Sequence, residues 1–115
     1  MVKKFDTLER VKRLDPIGGK GELESIALLS LEEFKGKGRM FAHNFLKPGS
    51  TIGLHTHKGD FEIYYILNGE GIFVDNDKEV QVSKGDVLIT YDGESHSLKN
   101  TGDKDIEFLA CIIYT

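Results

Sequence analysis

Apolar and polar residues alternate in short runs along most of this chain, and turn residues cut the runs about every eight to twelve positions. Alternation with a period of two marks a strand, because successive side chains leave opposite faces. The pattern predicts strands over 23–29, 39–46, 51–56, 61–67, 71–74, 79–82, 87–90, 96–99 and 106–114. Pro48-Gly49, Gly59-Asp60, Asn68-Gly69, Asp75-Asn76, Lys84-Gly85, Asp92-Gly93 and Gly102-Asp103 supply the punctuation. Many strands of this length at this spacing predict an all-β sandwich or barrel.

The N-terminal third reads differently. Leu8, Val11 and Leu14 lie at near-helical spacing and predict a helical turn or two within 1–20, ended by Asp15-Pro16 and Gly18-Gly19. Ser30 followed by Glu33 has the form of a capping box, which predicts a short helical turn over 31–34. The Gly18-Gly19-Lys20-Gly21 run has neither a strand before it nor a helix after it, so a phosphate cradle is not expected and a flexible loop is. One strand is apolar on both faces: Tyr64 and Ile66 share a side with Glu62, while Phe61, Ile63, Tyr65 and Leu67 take the other. Such a strand needs a cover on each face. In so small a chain the second cover is expected to be another copy, giving a homodimer.

At 115 residues there is room for one domain of ordinary size, spanning 1–115. The balance of 39% hydrophobic and 30% charged residues is that of a folded globular chain. A net charge of −4 without any lysine or arginine block argues against nucleic acid as a partner. Lys3, Lys4, Arg10, Lys12 and Arg13 cluster near the start, but Asp6 and Glu9 interrupt them, so a solvated face is expected. No stretch has the length and apolarity of a membrane span or of a secretory leader, which makes a cytoplasmic protein the expectation. The single cysteine, Cys111, lies in an apolar run and is expected to be buried and inert.

Candidate chemistry centres on the histidines. His55 and His57 end a predicted strand two residues apart, so both imidazoles leave one face, roughly 7 Å apart at their Cα atoms. A turn follows, and Glu62 opens the next strand, where its carboxylate can reach back to them. The wider frame is Gly49, five residues, His55-Thr56-His57, four residues, Glu62, six residues and Gly69. Downstream come Gly85, five residues, Tyr91-Asp92-Gly93, two residues, His96, three residues and Asn100. These two stretches, 49–69 and 85–100, resemble the two motifs of the cupin family, with a 15-residue gap like that of small microbial cupins. Tyr91 departs from the family, which usually has proline there.

The resemblance implies a double-stranded β-helix, or jelly-roll barrel, holding one divalent transition metal through His55, His57, Glu62 and His96. Three imidazoles and one carboxylate suit Mn, Fe, Ni, Co, Cu or Zn and suit Ca poorly. Four protein donors around an octahedral ion leave two positions for a small-molecule ligand or substrate. Cupins host many chemistries, so the family implies an activity class only loosely. An enzyme acting on a small carboxylate or oxygen-rich molecule is the leading expectation, either oxalate-decarboxylase-like or dioxygenase-like. A non-catalytic sensor or binding module is the alternative. Against the decarboxylase, the arginine that such cupins carry just before the first motif histidine is absent from 51–54, and no glutamate-bearing lid is identifiable.

Three further residues are candidates for the pocket. Tyr64 falls on the metal side of its strand, where it would line the pocket or simply pack. His43 and Arg39 share strand parity with Phe41 and Phe45; His43 would face the cavity or serve structurally, and Arg39 would face the cavity or lie at the surface. An arginine in the cavity would hold a carboxylate by its two-pronged guanidinium.

Overall fold

The computed structural model describes residues 1–115. Its strands are β1 (Arg10–Leu14), β2 (Glu22–Leu29), β3 (Gly38–Leu46), β4 (Thr51–Thr56), β5 (Asp60–Asn68), β6 (Glu70–Asp75), β7 (Lys78–Ser83), β8 (Val87–Thr90), β9 (Ser95–Asn100) and β10 (Ile106–Tyr114). All nine strands predicted from alternation are present, each end within one residue of its expected place. They form a six-stranded sheet, β1-β2-β3-β10-β5-β8, and a four-stranded sheet, β4-β9-β6-β7, with every pairing antiparallel. The fold is a two-sheet jelly roll.

The inner faces of the sheets meet around Leu46, Ile66, Leu98, Ile106 and Phe108, all less than 2% exposed. Cutting such a side chain back to alanine typically costs about 2–5 kcal/mol, because the cavity left behind closes only in part. This close-packed end is the rigid floor beneath the polar end of the barrel.

The N-terminal expectation is corrected. No helix covers Leu8 to Leu14; a short 3₁₀ turn at Phe5–Thr7 leads directly into β1. Cross-strand pairing with β2 overrides the near-helical spacing. Arg10 lies opposite Ile26 and Lys12 opposite Glu24, so the basic side chains reach the acidic ones of β2. Arg10 pairs with Glu24, and Lys12 lies 3.5 Å from Glu22. Arg10 also covers the ring of Phe45 at 3.9 Å. The capping box does form. Ser30 N–H donates to Glu33 Oε1 at 2.8 Å, and Glu33 N–H donates to Ser30 Oγ at 3.2 Å. Lys3, together with that backbone donor, holds the Glu33 carboxyl down to about 2.

The glycine loop is packed, not loose. A Cβ on Gly19 would stand 1.9 Å from the Thr51 carbonyl, and one on Gly53 would stand 2.0 Å from the Ile17 carbonyl. Only hydrogen at both positions lets the 15–19 loop lie directly on β4. Lys20 and Thr51 then exchange backbone hydrogen bonds of 2.8 and 2.9 Å. This loop forms one wall at the open end of the barrel.

The outer face of the six-stranded sheet carries Phe41, Phe45, Phe61, Ile63, Leu109 and Ile113, all half-buried. Tyr65, Val87 and Ile89 on the same face are 44%, 58% and 41% exposed. His43 stands there as well, 2.6 Å from Glu107, so of the two placements open to it the structure shows the one away from the cavity. Cys111 is half-buried on this face, opposite Ile63 and Phe41, less enclosed than its apolar neighbourhood predicted. Burial pushes its thiol up, which disfavours a reactive thiolate.

Candidate metal centre

The structure gathers His55, His57, Glu62 and His96 from separate stretches of chain. His55 lies in β4, His57 just beyond it, His96 opposite His55 in β9, and Glu62 in β5 of the other sheet. The turns that carry them are laced together. His57 N–H donates to the Glu94 carbonyl at 2.9 Å, and Gly93 N–H donates to the His57 carbonyl at 2.7 Å. Gly59 N–H donates to Asp92 Oδ1 at 2.9 Å. At the site of the family proline, Tyr91 N–H donates to Glu94 Oε1 at 2.8 Å, a bond proline has no hydrogen to make. Gly93, at φ +89, takes the left-handed position of that turn.

One donor atom from each of the four residues lies within 4.8 Å of all the others. His96 Nε2 is 3.0 Å from His55 Nε2 and 3.2 Å from His57 Nε2. Glu62 Oε1 is 3.0 Å from His57 Nε2 and 3.1 Å from His96 Nε2. With metal–ligand bonds of about 2.1 Å, adjacent corners of an octahedron stand roughly 3.0 Å apart, and those of a tetrahedron about 3.4 Å. The observed spacings fit the octahedron better.

The far side of each imidazole is held. His55 Nδ1 donates to the Gly53 carbonyl at 2.7 Å, and His57 Nδ1 donates to Asp60 Oδ1 at 2.7 Å. His96 Nδ1 lies 2.6 Å from Thr90 Oγ1. Neither a carbonyl nor a carboxylate can donate, so His55 and His57, when neutral, turn bare Nε2 lone pairs inward. Asp60 is itself held by Arg39, whose Nε donates to Asp60 Oδ2 at 2.9 Å. The result is an Arg39–Asp60–His57 chain of the kind that orients metal-ligating histidines.

The electrostatics agree. Burial raises the Glu62 carboxyl, but hydrogen bonds with His57 and His96, available when their Nε2 atoms carry protons, outweigh it and leave the group lowered. His57 is raised, chiefly by Glu62. His55 is lowered, chiefly by desolvation. Asp60 is also lowered, since its bonds to Arg39 and His57 overcome the cost of burial. His57, Glu62 and His96 are only 2%, 4% and 1% exposed. Three nitrogen donors and a carboxylate oxygen turned toward one buried point repel one another unless positive charge stands among them. This donor set fits a divalent transition ion.

The cupin domain family matches residues 44–112. The chain belongs to the cupin family. Among curated proteins this cupin is 56% identical over 107 residues to an "Oxalate-binding protein" of Thermotoga maritima, covering 93% of this chain and 87% of that one. Among solved structures it is similar to a predicted oxalate decarboxylase, also from Thermotoga maritima, with a TM-score of 0.95, 51% identity and 100% coverage of both chains. The polyketide cyclase RemF of Streptomyces resistomycificus shares only the fold, with a TM-score of 0.78 at 20% identity over 98% of this chain and 80% of that one.

In this cupin a cavity of about 150 Å³ is lined by His55, His57 and Glu62, with His96 behind them. Tyr64, 5% exposed, lines it and stacks on His96 with ring centroids 5.3 Å apart. Arg39 lines it too, whereas His43 does not. Arg13 of β1, exposed as a solvated basic face predicts, also lines the rim of the cavity. The signal that would have found it is the match between Arg10 and Lys12 and the acidic residues of β2, which leaves Arg13 on the opposite side. A wider groove of about 350 Å³ runs along β7 and β8, but it holds none of the four donors.

Replacing Asp60 with Asn is expected to lower metal affinity about 10- to 100-fold, since the His57 imidazole loses its anionic partner. Competition with a chelator of known affinity measures this, and an unchanged affinity would show that the Arg39–Asp60–His57 chain plays no part in holding the ion.

Proposed function

We propose that this cupin holds one divalent transition metal at His55, His57, Glu62 and His96 and binds a small carboxylate on it, with oxalate as the candidate ligand. The observation that carries this reading is the convergence of four donor atoms beside a cavity of about 150 Å³. That space is of the size for an acid of a few carbons. The oxalate-binding relative supports the choice of ligand. The N₃O set without thiolate suits manganese or iron, and nickel, cobalt, copper and zinc are also compatible.

A bound ion supplies Lewis acidity toward the ligand's oxygens. The chain supplies the rest. Asp60 and Thr90 fix the ring orientations of His57 and His96. The Tyr64 hydroxyl has no hydrogen-bond partner in the chain, and burial keeps it protonated well above the ordinary tyrosine range, so it is a donor for a bound carboxylate. Glu62 is the only carboxylate lining the cavity, and it is already among the donors. No acid is left over to deliver a proton, which favours binding over decarboxylation. The second reading is a metal-dependent decarboxylase or dioxygenase, supported by the oxalate decarboxylase description of the similar structure.

Elemental analysis followed by calorimetric titration tests the proposal. About one transition metal per chain is expected, with oxalate binding to the manganese- or iron-loaded protein and to neither the chelated protein nor its His57→Ala variant. Failure to take up any of the six metals would refute the site. Release of carbon dioxide or uptake of oxygen by the loaded protein would favour the enzymatic reading.

We also infer that the apolar outer face of the six-stranded sheet pairs with a second copy around a twofold axis. Its run of aromatic and branched side chains is of the kind that marks an interaction surface. Light scattering is expected to give twice the mass of one chain, and Ile63→Lys to shift it to one. A wild-type mass of one chain would contradict the pairing.

A further inference from the structure

Resting on the metal–carboxylate reading, we propose that Arg13 and Arg39 form an anion clamp at the mouth of the metal cavity and select a short dicarboxylate over a monocarboxylate. Both guanidinium groups reach the cavity by specific departures from the surrounding pattern. In β3, Ile112 pairs with Met40 and Ile113 with Gly38, so Arg39 is an extra residue with no partner across the ladder. Strict alternation would put it on the outer face with Phe41, His43 and Phe45. The bulge turns it to the other side, as bulges beside functional sites commonly do. There it lines the cavity with His57 and Glu62.

Arg13 arrives from the edge strand. Arg10 and Lys12 on one side of β1 are matched by Glu24 and Glu22. Arg13 lies opposite the buried Leu23 on the other side, and it has no ion pair or side-chain hydrogen bond in the chain. Arg39 uses only Nε, toward Asp60 Oδ2 at 2.9 Å, which leaves both of its terminal nitrogens free. Two exposed guanidinium ends without partners in the chain therefore stand at the rim of one small cavity. The pair also lines the adjoining groove beside β1 and β3, so it stands where the cavity opens outward.

Charge decides the ligand class. Asp60 and Glu62 balance the two arginines, and neutral imidazoles add nothing. A divalent ion then leaves two positive charges uncompensated at the cavity. A dianion cancels both and a monoanion only one. Guanidinium groups bind carboxylate through paired, charge-assisted N–H···O bonds, which gives the clamp a shape preference as well.

The test uses manganese-loaded protein of verified metal content, titrated calorimetrically with oxalate and with acetate. The wild type is expected to prefer oxalate. Arg13→Gln and Arg39→Lys are each expected to weaken oxalate about tenfold or more, the loss of one charge-assisted contact. In Arg13→Gln, acetate affinity and metal content should stay within about twofold, on the same logic. Arg39→Lys keeps a cation beside Asp60 while removing the fork, and its oxalate affinity is read only on protein whose metal content matches the wild type. Unchanged oxalate affinity in both variants overturns the clamp and leaves the metal–carboxylate reading standing. A loss of oxalate binding that tracks lost metal also overturns it, because the arginines would then act on the ion. Wild-type protein that loads metal but binds neither acid overturns the parent reading, and the clamp with it.

Discussion

Mutual repulsion among inward-facing donors is the constraint on which the open end of this barrel is built. Three imidazole nitrogens and one carboxylate oxygen meet with neighbouring distances of 3.0–3.2 Å, in a place nearly closed to water. With neutral imidazoles and no cation, such an arrangement sets lone pairs against lone pairs and buries a carboxylate at considerable cost. Outward hydrogen bonds to Gly53, Asp60 and Thr90 fix the rings so that they cannot turn away to relieve the strain. A divalent ion would resolve the conflict and convert it into affinity.

The rest of the architecture serves that point. The packed floor around Phe108 and Leu98 fixes how the two sheets approach each other, and thus where Glu62 of one sheet meets the histidines of the other. Backbone bonds between the His57 turn and the Gly93–Glu94 turn hold the two motif regions at one spacing. Gly19 and Gly53 let the 15–19 loop close one wall of the cavity without a Cβ in the way. The bulge at Arg39 brings a guanidinium to the same cavity and uses part of it to steady Asp60. Oxalate as ligand, and the choice between binding and turnover, rest on this geometry together with the relatives.

Most strands were legible because alternation and turn glycines act locally, and the donor residues were legible because the motif spacing is fixed. Residues that depend on long-range pairing were harder to read. Leu8, Val11 and Leu14 carry a helical spacing, and only the partnership with β2 some dozen residues later makes that segment a strand. Arg39 and His43 share a parity in the sequence, yet one extra residue in β3 separates them, sending Arg39 to the cavity and His43 to the outer face beside Glu107. A bulge of this kind depends on how β10 pairs, which no local pattern announces. Arg13 looked like one member of a basic cluster because the acids that claim its neighbours lie on another strand.

X-ray absorption at the metal edge of the loaded protein tests the central claim most directly. The account predicts a first shell of nitrogen and oxygen only, with outer-shell scattering from three imidazoles and a weaker contribution from one carboxylate. A sulfur neighbour, or scattering from fewer than three imidazoles, would contradict it.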